Sequence, residues 1–422
     1  MDNLQYTEDN WLGDTPSKWP ILPAKSLFSN PVERNQSDDI HLTPAQKYGV
    51  LPQSDYMEIT GNRVVLNLSG ADNMRHVEPG DYVSHLRSFQ GGFEYSPFRG
   101  KISSAYTVFR PKRPLEPRFF KYLFKSGRYV QGLATTTEQL RDGQSIRYEQ
   151  FALLRLPYPP LEEQKAIADF LDRELQAIDV LIGKQESLIA GLFERRASLV
   201  STVTLNGVRG KCSSISKPID WLPPVPAHWQ IAPLWSMFRR VKTTGHADLE
   251  LLALYREHGV LPKASRDDNH NVESDDLSSY QLVKKGDLVV NKMKAWQGSI
   301  SLSPLEGIIS PAYFVYRPHH DQNSRYFHYL LRSAPYVAQY NKISKGVRIG
   351  QWDLEPQLFR VLTLLVPSRE EQNEIVALLD AELEKNTFLM DKCKRLVELL
   401  KERREALVSA AVTGKIEVRG KN

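Results

Sequence analysis

Glu163-Gln164-Lys165 has the E-x-K look of a nuclease centre, but it falls on a predicted helix. Its counterpart further along the chain reads Glu371-Gln372-Asn373, without the lysine. No Gly-x-x-x-x-Gly-Lys-Ser/Thr phosphate loop, no Gly-x-Gly-x-x-Gly ahead of a helix and no His-Glu-x-x-His zinc motif occurs. Leu156-Pro157-Tyr158-Pro159 is not the Asn/Asp-Pro-Pro-Tyr of an amino-methyltransferase. The histidines are scattered, and the only two cysteines, Cys212 and Cys393, rule out a cysteine zinc site and suit a reducing compartment.

The chemistry that remains is binding. From Arg87 to Arg128 there are ten Lys or Arg against Glu94 and Glu116, interleaved with aromatics such as Phe93, Tyr95 and Tyr122. A later segment keeps the trend with Lys292, Lys294, Trp296, Arg317, Arg325, Lys342, Lys345 and Arg348. Basic side chains neutralise phosphates, and Arg, Gln and Asn read base edges. The candidate nucleic-acid contacts are therefore Arg87 and Gln90 with their counterparts Lys294 and Gln297, then Arg99, Lys101, Lys292, Lys345 and Arg348. A solvated basic face is the alternative for the cations, and a turn cap before Gly91 or Gly298 is the alternative for the glutamines. Arg110 and Arg317, each followed by proline, read as structural. The loops 135–144 and 263–274 differ between the copies and are further candidates for reading bases.

These residues sit in a duplicated chain. Pro16-x-x-Trp19 recurs as Pro226-x-x-Trp229, and Gly49-Val50-Leu51-Pro52 as Gly259-Val260-Leu261-Pro262. Ser84–Pro111 aligns without a gap to Asn291–Pro318, with 12 of 28 positions identical. A period of about 210 residues means a duplicated domain, because solenoid repeats run to roughly 20–50 residues. The expected fold is α+β: two mixed α/β globules, 1–158 and 227–366, followed by a long helix at 159–206 and by a long helix with a C-terminal tail at 367–422, with a Gly/Ser/Pro-rich linker at 207–226. Short apolar runs such as Val64-Val65-Leu66 and Tyr106–Phe109 read as strands.

In the helices, steps of four and three pick out Leu171, Leu175, Ile178, Ile182, Gln185, Ile189, Leu192, Arg196, Leu199 and Val203. The echo is Leu379, Leu383, Asn386, Met390, Cys393, Val397, Leu400, Arg404, Leu407 and Ala411, a coiled-coil seam. The short linker favours antiparallel pairing into a rod with a globule at each end. Gln185, Arg196, Asn386 and Arg404 would then set the register or reach solvent at its edge.

With 422 residues, two or three domains are allowed, and the net charge of +5 permits a nucleic-acid partner without requiring one. No apolar run reaches the roughly 18–20 residues of a membrane span, and the acidic start MDNLQYTEDNW is no signal peptide, so a cytoplasmic protein is expected.

The paired Pro-x-x-Trp motifs, Gly80-Asp81 and Gly286-Asp287, and the helix starts Pro159-Pro160-Leu161-Glu162-Glu163-Gln164 and Pro367-Ser368-Arg369-Glu370-Glu371-Gln372 resemble the specificity (S) subunits of type I restriction-modification systems. Ser368 stands where the first copy has Pro160. The resemblance implies a non-catalytic chain whose two target recognition domains each read half of a split double-stranded DNA site, with the helices as ruler. It implies two modification (M) subunits carrying S-adenosylmethionine and, in the full complex, restriction (R) subunits hydrolysing ATP with Mg. No cofactor is expected on this chain. Glu163, Gln164, Leu171, Ile178, Arg196, Glu371, Gln372, Leu379 and Arg404 are the candidates for partner docking or the helix seam. The competing readings are a stand-alone or fused site-specific DNA methyltransferase or nuclease, and a coiled-coil protein scaffold.

Overall fold

Each Pro-x-x-Trp motif leads into a strand that pairs antiparallel with the strand just before a long helix. Ile21–Pro23 pairs with Arg155–Pro157, and Gln230–Pro233 pairs with Thr363–Val366. The beginning and end of each globule are thereby stitched together at the foot of its helix. A computed structural model describes residues 4–5, 11–62, 73–84, 92–136, 146–210, 219–266, 276–348 and 351–418. The predicted strand at 64–66 and most of the two variable loops lie outside them.

The two globules share one frame. A four-stranded antiparallel sheet runs Phe28–Ser29, Val108–Pro111, Tyr82–Ser84, Phe93–Tyr95 in the first and Phe238–Val241, Tyr313–Pro318, Leu288–Asn291, Ile300–Leu302 in the second. The repeated Gly-Val-Leu-Pro forms the return strand of a hairpin in both, with Ala45 opposite Gly49 and Tyr255 opposite Gly259. These glycines have φ of +79° and +80°, which a three-residue hairpin loop needs at its last turn and which a side chain would resist. Gly100 and Gly307 serve a different purpose. An added Cβ would lie 2.4 Å from the carbonyl oxygen of Ile40 or Glu250, so two backbones meet there at a distance only glycine permits.

The repeated Gly-Asp and Arg-Pro motifs also meet. Buried Asp81 takes a two-pronged ion pair from Arg110 (both contacts 2.9 Å), and buried Asp287 takes one from Arg317 (3.1 and 2.9 Å). Each aspartate also accepts a backbone N–H, from Glu78 or Lys284, which closes the turn before the strand. The expectation that these arginines are structural holds. A buried carboxylate needs such partners.

The long helices are Leu161–Asn206 and Arg369–Val412. The chain divides into two compact units, residues 1–185 with 395–422 and residues 186–394. In the first unit, Trp19, Phe28, Tyr82, Phe93, Phe109 and Phe124 share a core with Leu171, Leu175 and Ile178 of one helix and Leu400, Val408 and Ala411 of the other. In the second unit, Trp229, Phe238, Tyr316 and Tyr326 share a core with Val203 and with Ile375, Leu379 and Leu383. Leu222 and Val225, in the segment read as a linker, are buried in this second core.

Within each unit the helices pair. In the second, Asn386 Nδ2 donates to the Leu192 carbonyl (3.1 Å) and Arg195 faces Glu382 (4.0 Å), so rising numbers on one helix meet falling numbers on the other: the pair is antiparallel. Asn386 is buried in the seam, as are Met390 and Cys393. Arg404 of the first unit is exposed and pairs with Asp179 at 3.2 Å, so it marks the seam's edge.

Two side chains per helix fasten the globules. Gln164 Oε1 accepts from Glu116 N (2.9 Å), and Gln372 Oε1 accepts from Asn323 N (2.9 Å), each at the cap of a globule helix. Their Nε2 groups donate to the carbonyls of Pro159 (2.8 Å) and Pro367 (2.9 Å), five residues back. Two turns on, Asp172 accepts from Arg118 (2.7 Å) and from Tyr122, and Asp380 accepts from Arg325 (2.8 Å) and from Tyr329. Gln372→Leu would take their partner from the half-buried Asn323 N–H and the buried Pro367 carbonyl. It should cost about 1–3 kcal/mol in a urea unfolding experiment. An unchanged midpoint would show that the bond contributes nothing.

Among the described residues the first globule has a polar tie without a counterpart in the second. Buried His76 on the strand Arg75–Val77 meets Asp39 through Nδ1 and Glu78 through Nε2, both at 2.7 Å. Two carboxylates can be satisfied together only by the doubly protonated ring. Burial pushes the imidazole pKa down, but the hydrogen bonds to Glu78 and Asp39 outweigh it and leave the value raised. The folded state therefore holds this proton more tightly than the unfolded chain. The stabilisation is complete below the unfolded value near 6.5 and is lost as pH rises through the higher folded value. Thermal unfolding from mildly acid to alkaline pH should show that loss in the wild type and not in His76→Gln. Equal pH profiles would refute it.

Candidate nucleic-acid interface

The predicted contacts divide sharply in their surroundings. Arg87 and Gln90 lie outside the described residues. Arg99 is exposed but engaged: it pairs with Asp38 at 2.9 Å, bonds Gln36 and stands 3.8 Å from Asp39. With Asp39 and Glu78 also on His76, this corner of the first globule is a closed ion-pair network. Lys101 is half-buried, opposite His76 in the strand pair. Lys292 is turned inward, with Nζ on the Pro311 carbonyl and 4.9 Å from the centre of the Phe314 ring. Burial lowers its pKa, and neighbouring Arg240 lowers it further.

The other predicted contacts on the second globule come together. Lys294 is exposed at the start of the short 3-10 turn Ala295–Gln297, whose chain reverses at Gly298 with φ +86°. Gln297 is half-buried, and among the described residues its side chain has no hydrogen-bond partner, so it does not cap the turn. The hairpin Ser344–Arg348/Gln351–Leu354 packs beside this turn through Trp296 and Trp352, whose ring centres are 4.9 Å apart. Leu354 N donates to the Lys292 carbonyl, which fixes the hairpin's base. Lys345 is exposed on that hairpin, and Arg348 stands opposite Gln351 in its register. Cations and one unpartnered amide thus surround an aromatic pair, a surface able to touch phosphates and base edges. The sequence reading had the lysines but not the Trp296–Trp352 contact, which joins residues far apart in the chain.

The helix candidates are used mostly within their own unit. Leu171, Ile178 and Leu379 are buried, and Gln164 and Gln372 are buried on the globule backbone. Glu163 pairs with Lys18 at 3.4 Å. Glu371 accepts from Trp229 Nε1 and meets His228, both at 3.0 Å, so the Pro-x-x-Trp motif and the Glu-Gln motif are in contact. Arg196 is half-buried. Among the large apolar side chains left exposed, Val180, Leu181 and Leu188 on the first helix match Phe388, Leu389 and Leu396 on the second, while Leu161, Phe193 and Leu399 have no such counterpart. Heptad reading missed them because they lie off the seam.

Among the described residues no cluster of His, Cys, Asp or Glu could hold a metal ion, and no helix is long and apolar enough to cross a membrane. A family model described as the type I restriction modification DNA specificity domain matches residues 39–188. The MjaX type I restriction enzyme specificity subunit of Methanocaldococcus jannaschii is 24% identical over 244 residues, which are 54% of this chain and 56% of that protein; the match thus spans little more than half of the relative's length. The fold is shared with a chain from a structure of complex assembly and conformational transition of the type I R-M system (TM-score 0.70, 15% identity, 95% of this chain and 99% of that one). It is shared also with the HsdS subunit from Thermoanaerobacter tengcongensis (TM-score 0.55, 16% identity, 95% and 98%). The chain is thus similar to type I restriction-modification specificity subunits: residues 39–188 match their DNA specificity domain, and the duplicated frame, tied at each copy to a long helix, is the fold of these structures.

Proposed function

We propose that this chain is the DNA-recognising, non-catalytic subunit of a cytoplasmic type I restriction-modification complex, with each globule reading one half of a bipartite double-stranded site. The observation that carries the reading is the duplication itself. One frame is built twice, with the same sheet order and the same Gln and Asp ties to a helix, while its polar surface differs between copies. Two copies of a scaffold with different contact residues are what two half-sites of different sequence require. The helices that run through both units set the spacer between the half-sites. Modification subunits supply S-adenosylmethionine chemistry, and restriction subunits supply ATP and Mg-dependent cleavage, so the cofactors belong to the partners. Arg87, Gln90, Lys101, Lys294, Gln297, Lys345 and Arg348 remain the proposed DNA contacts; Arg99 and Lys292 act through the network and ring that hold them.

Co-expression with its modification partner, followed by mapping of methyladenine across a genome, should return a motif with two specified halves around an unspecified spacer. A continuous motif, or methylation by this chain alone, would sink the reading.

The exposed apolar residues at matching helix positions are the proposed docking faces for two modification subunits. Their equivalence under the repeat supports two equal partners, and apolar area left in water at mid-helix is costly unless covered. Leu181→Glu with Leu389→Glu should abolish co-purification of the modification subunit while the chain still folds and binds duplex DNA. Undiminished co-purification would place the docking elsewhere.

A further inference from the structure

The second globule contains a cleft of about 330 Å³ lined by Trp235, Arg239, Arg240, Tyr316, Gln357 and Arg360. Arg239 and Arg240 stand on the edge strand Phe238–Val241, and Arg360 ends the short helix Pro356–Arg360. All three arginines are exposed. Among the described residues no carboxylate pairs with any of them. Their recorded partners are rings: Arg240 lies 4.3 Å from the centre of Phe314, which Lys292 also faces, and Arg360 lies 5.9 Å from the centre of Trp235. The Trp235 side chain is itself half exposed. Like charges gathered around a cavity repel one another, and the cost falls when an anion occupies it.

The first globule shows that the fold does not need these cations. In the same frame Lys25, Ser29 and Asn30 stand where the second has Trp235, Arg239 and Arg240, and Glu149 and Ala152 stand for Gln357 and Arg360. The sheet register and the closing strand pair are the same without them. Arginine presents a planar fork of donors that matches phosphate oxygens, and an exposed indole offers a face to a sugar or base.

We propose that this cleft binds the phosphate of a nucleotide unit, with Arg240 and Arg360 on the phosphate oxygens and Trp235 against the adjoining sugar or base. The phosphate belongs either to a DNA backbone or to a free nucleotide. The first source rests on the DNA-recognition reading above; the cleft itself does not.

The test uses the full chain with two probes, a random-sequence duplex titrated at several salt concentrations and ADP. Arg240→Ala with Arg360→Ala is compared with Lys284→Ala with Lys285→Ala, which removes equal charge from the same globule outside the cleft. For the backbone source, the arginine variant should weaken duplex binding and lower the slope of log affinity against log salt by roughly one per lost contact, beyond the lysine variant. For a free nucleotide, duplex binding stays with the control while ADP affinity falls at least about tenfold, and Trp235→Ala reproduces that fall. Equal behaviour of the two variants with both probes overturns the cleft and leaves DNA recognition standing. If the wild type binds no duplex, DNA recognition fails instead, and the ADP arm alone decides the cleft.

Discussion

A backbone N–H taken out of water must find an acceptor, and at the foot of each globule it finds one on the long helix. Gln164 and Gln372 are buried, and each bridges the cap of a globule helix and a carbonyl before its own helix. Asp172 and Asp380 add an arginine and a tyrosine bond two turns further on. Leaving such groups unpaired costs more than the bonds themselves contribute, so the angle between globule and helix start is strongly specified. Everything else in a unit inherits that angle: the strand pair that closes the globule, the seam, and the surface the globule presents.

Aromatic packing completes the fastening. In the first unit Phe28, Phe93, Phe109, Phe124 and Phe151 touch ring to ring, and the same core runs into Leu171, Leu175 and Ile178 of the helix. A core shared between globule and helix leaves little freedom for the two to move apart. The second unit repeats the plan with Phe238, Tyr316, Tyr326 and Phe359 around Leu379 and Leu383.

The copies diverge where side chains leave this frame. The first globule closes its basic corner on itself through Arg99, Asp38, Asp39, His76 and Glu78. The second leaves Arg240 and Arg360 at a cleft and sets Lys294 and Lys345 around two tryptophans. A duplicated scaffold with unlike polar surfaces is suited to reading two unlike targets.

The repeat, the long helices and their seam were legible in the sequence because they rest on local periodicity and on copying. Steps of four and three mark a buried stripe wherever it packs, and Leu171, Ile178 and Leu379 are buried as that stripe requires. The Gly-Asp and Arg-Pro motifs were visible too, though not that Asp81 and Arg110 bond each other. Charge counting could not tell an arginine already engaged, such as Arg99, from one without a carboxylate, such as Arg360, because pairing depends on residues distant in the chain. By itself, then, the sequence determined two copies of a globule and helix and the stripe each helix buries. Only the tertiary structure decided which polar groups are used up in holding the copies together and which remain to meet a partner, because burial and pairing are properties of the packed chain.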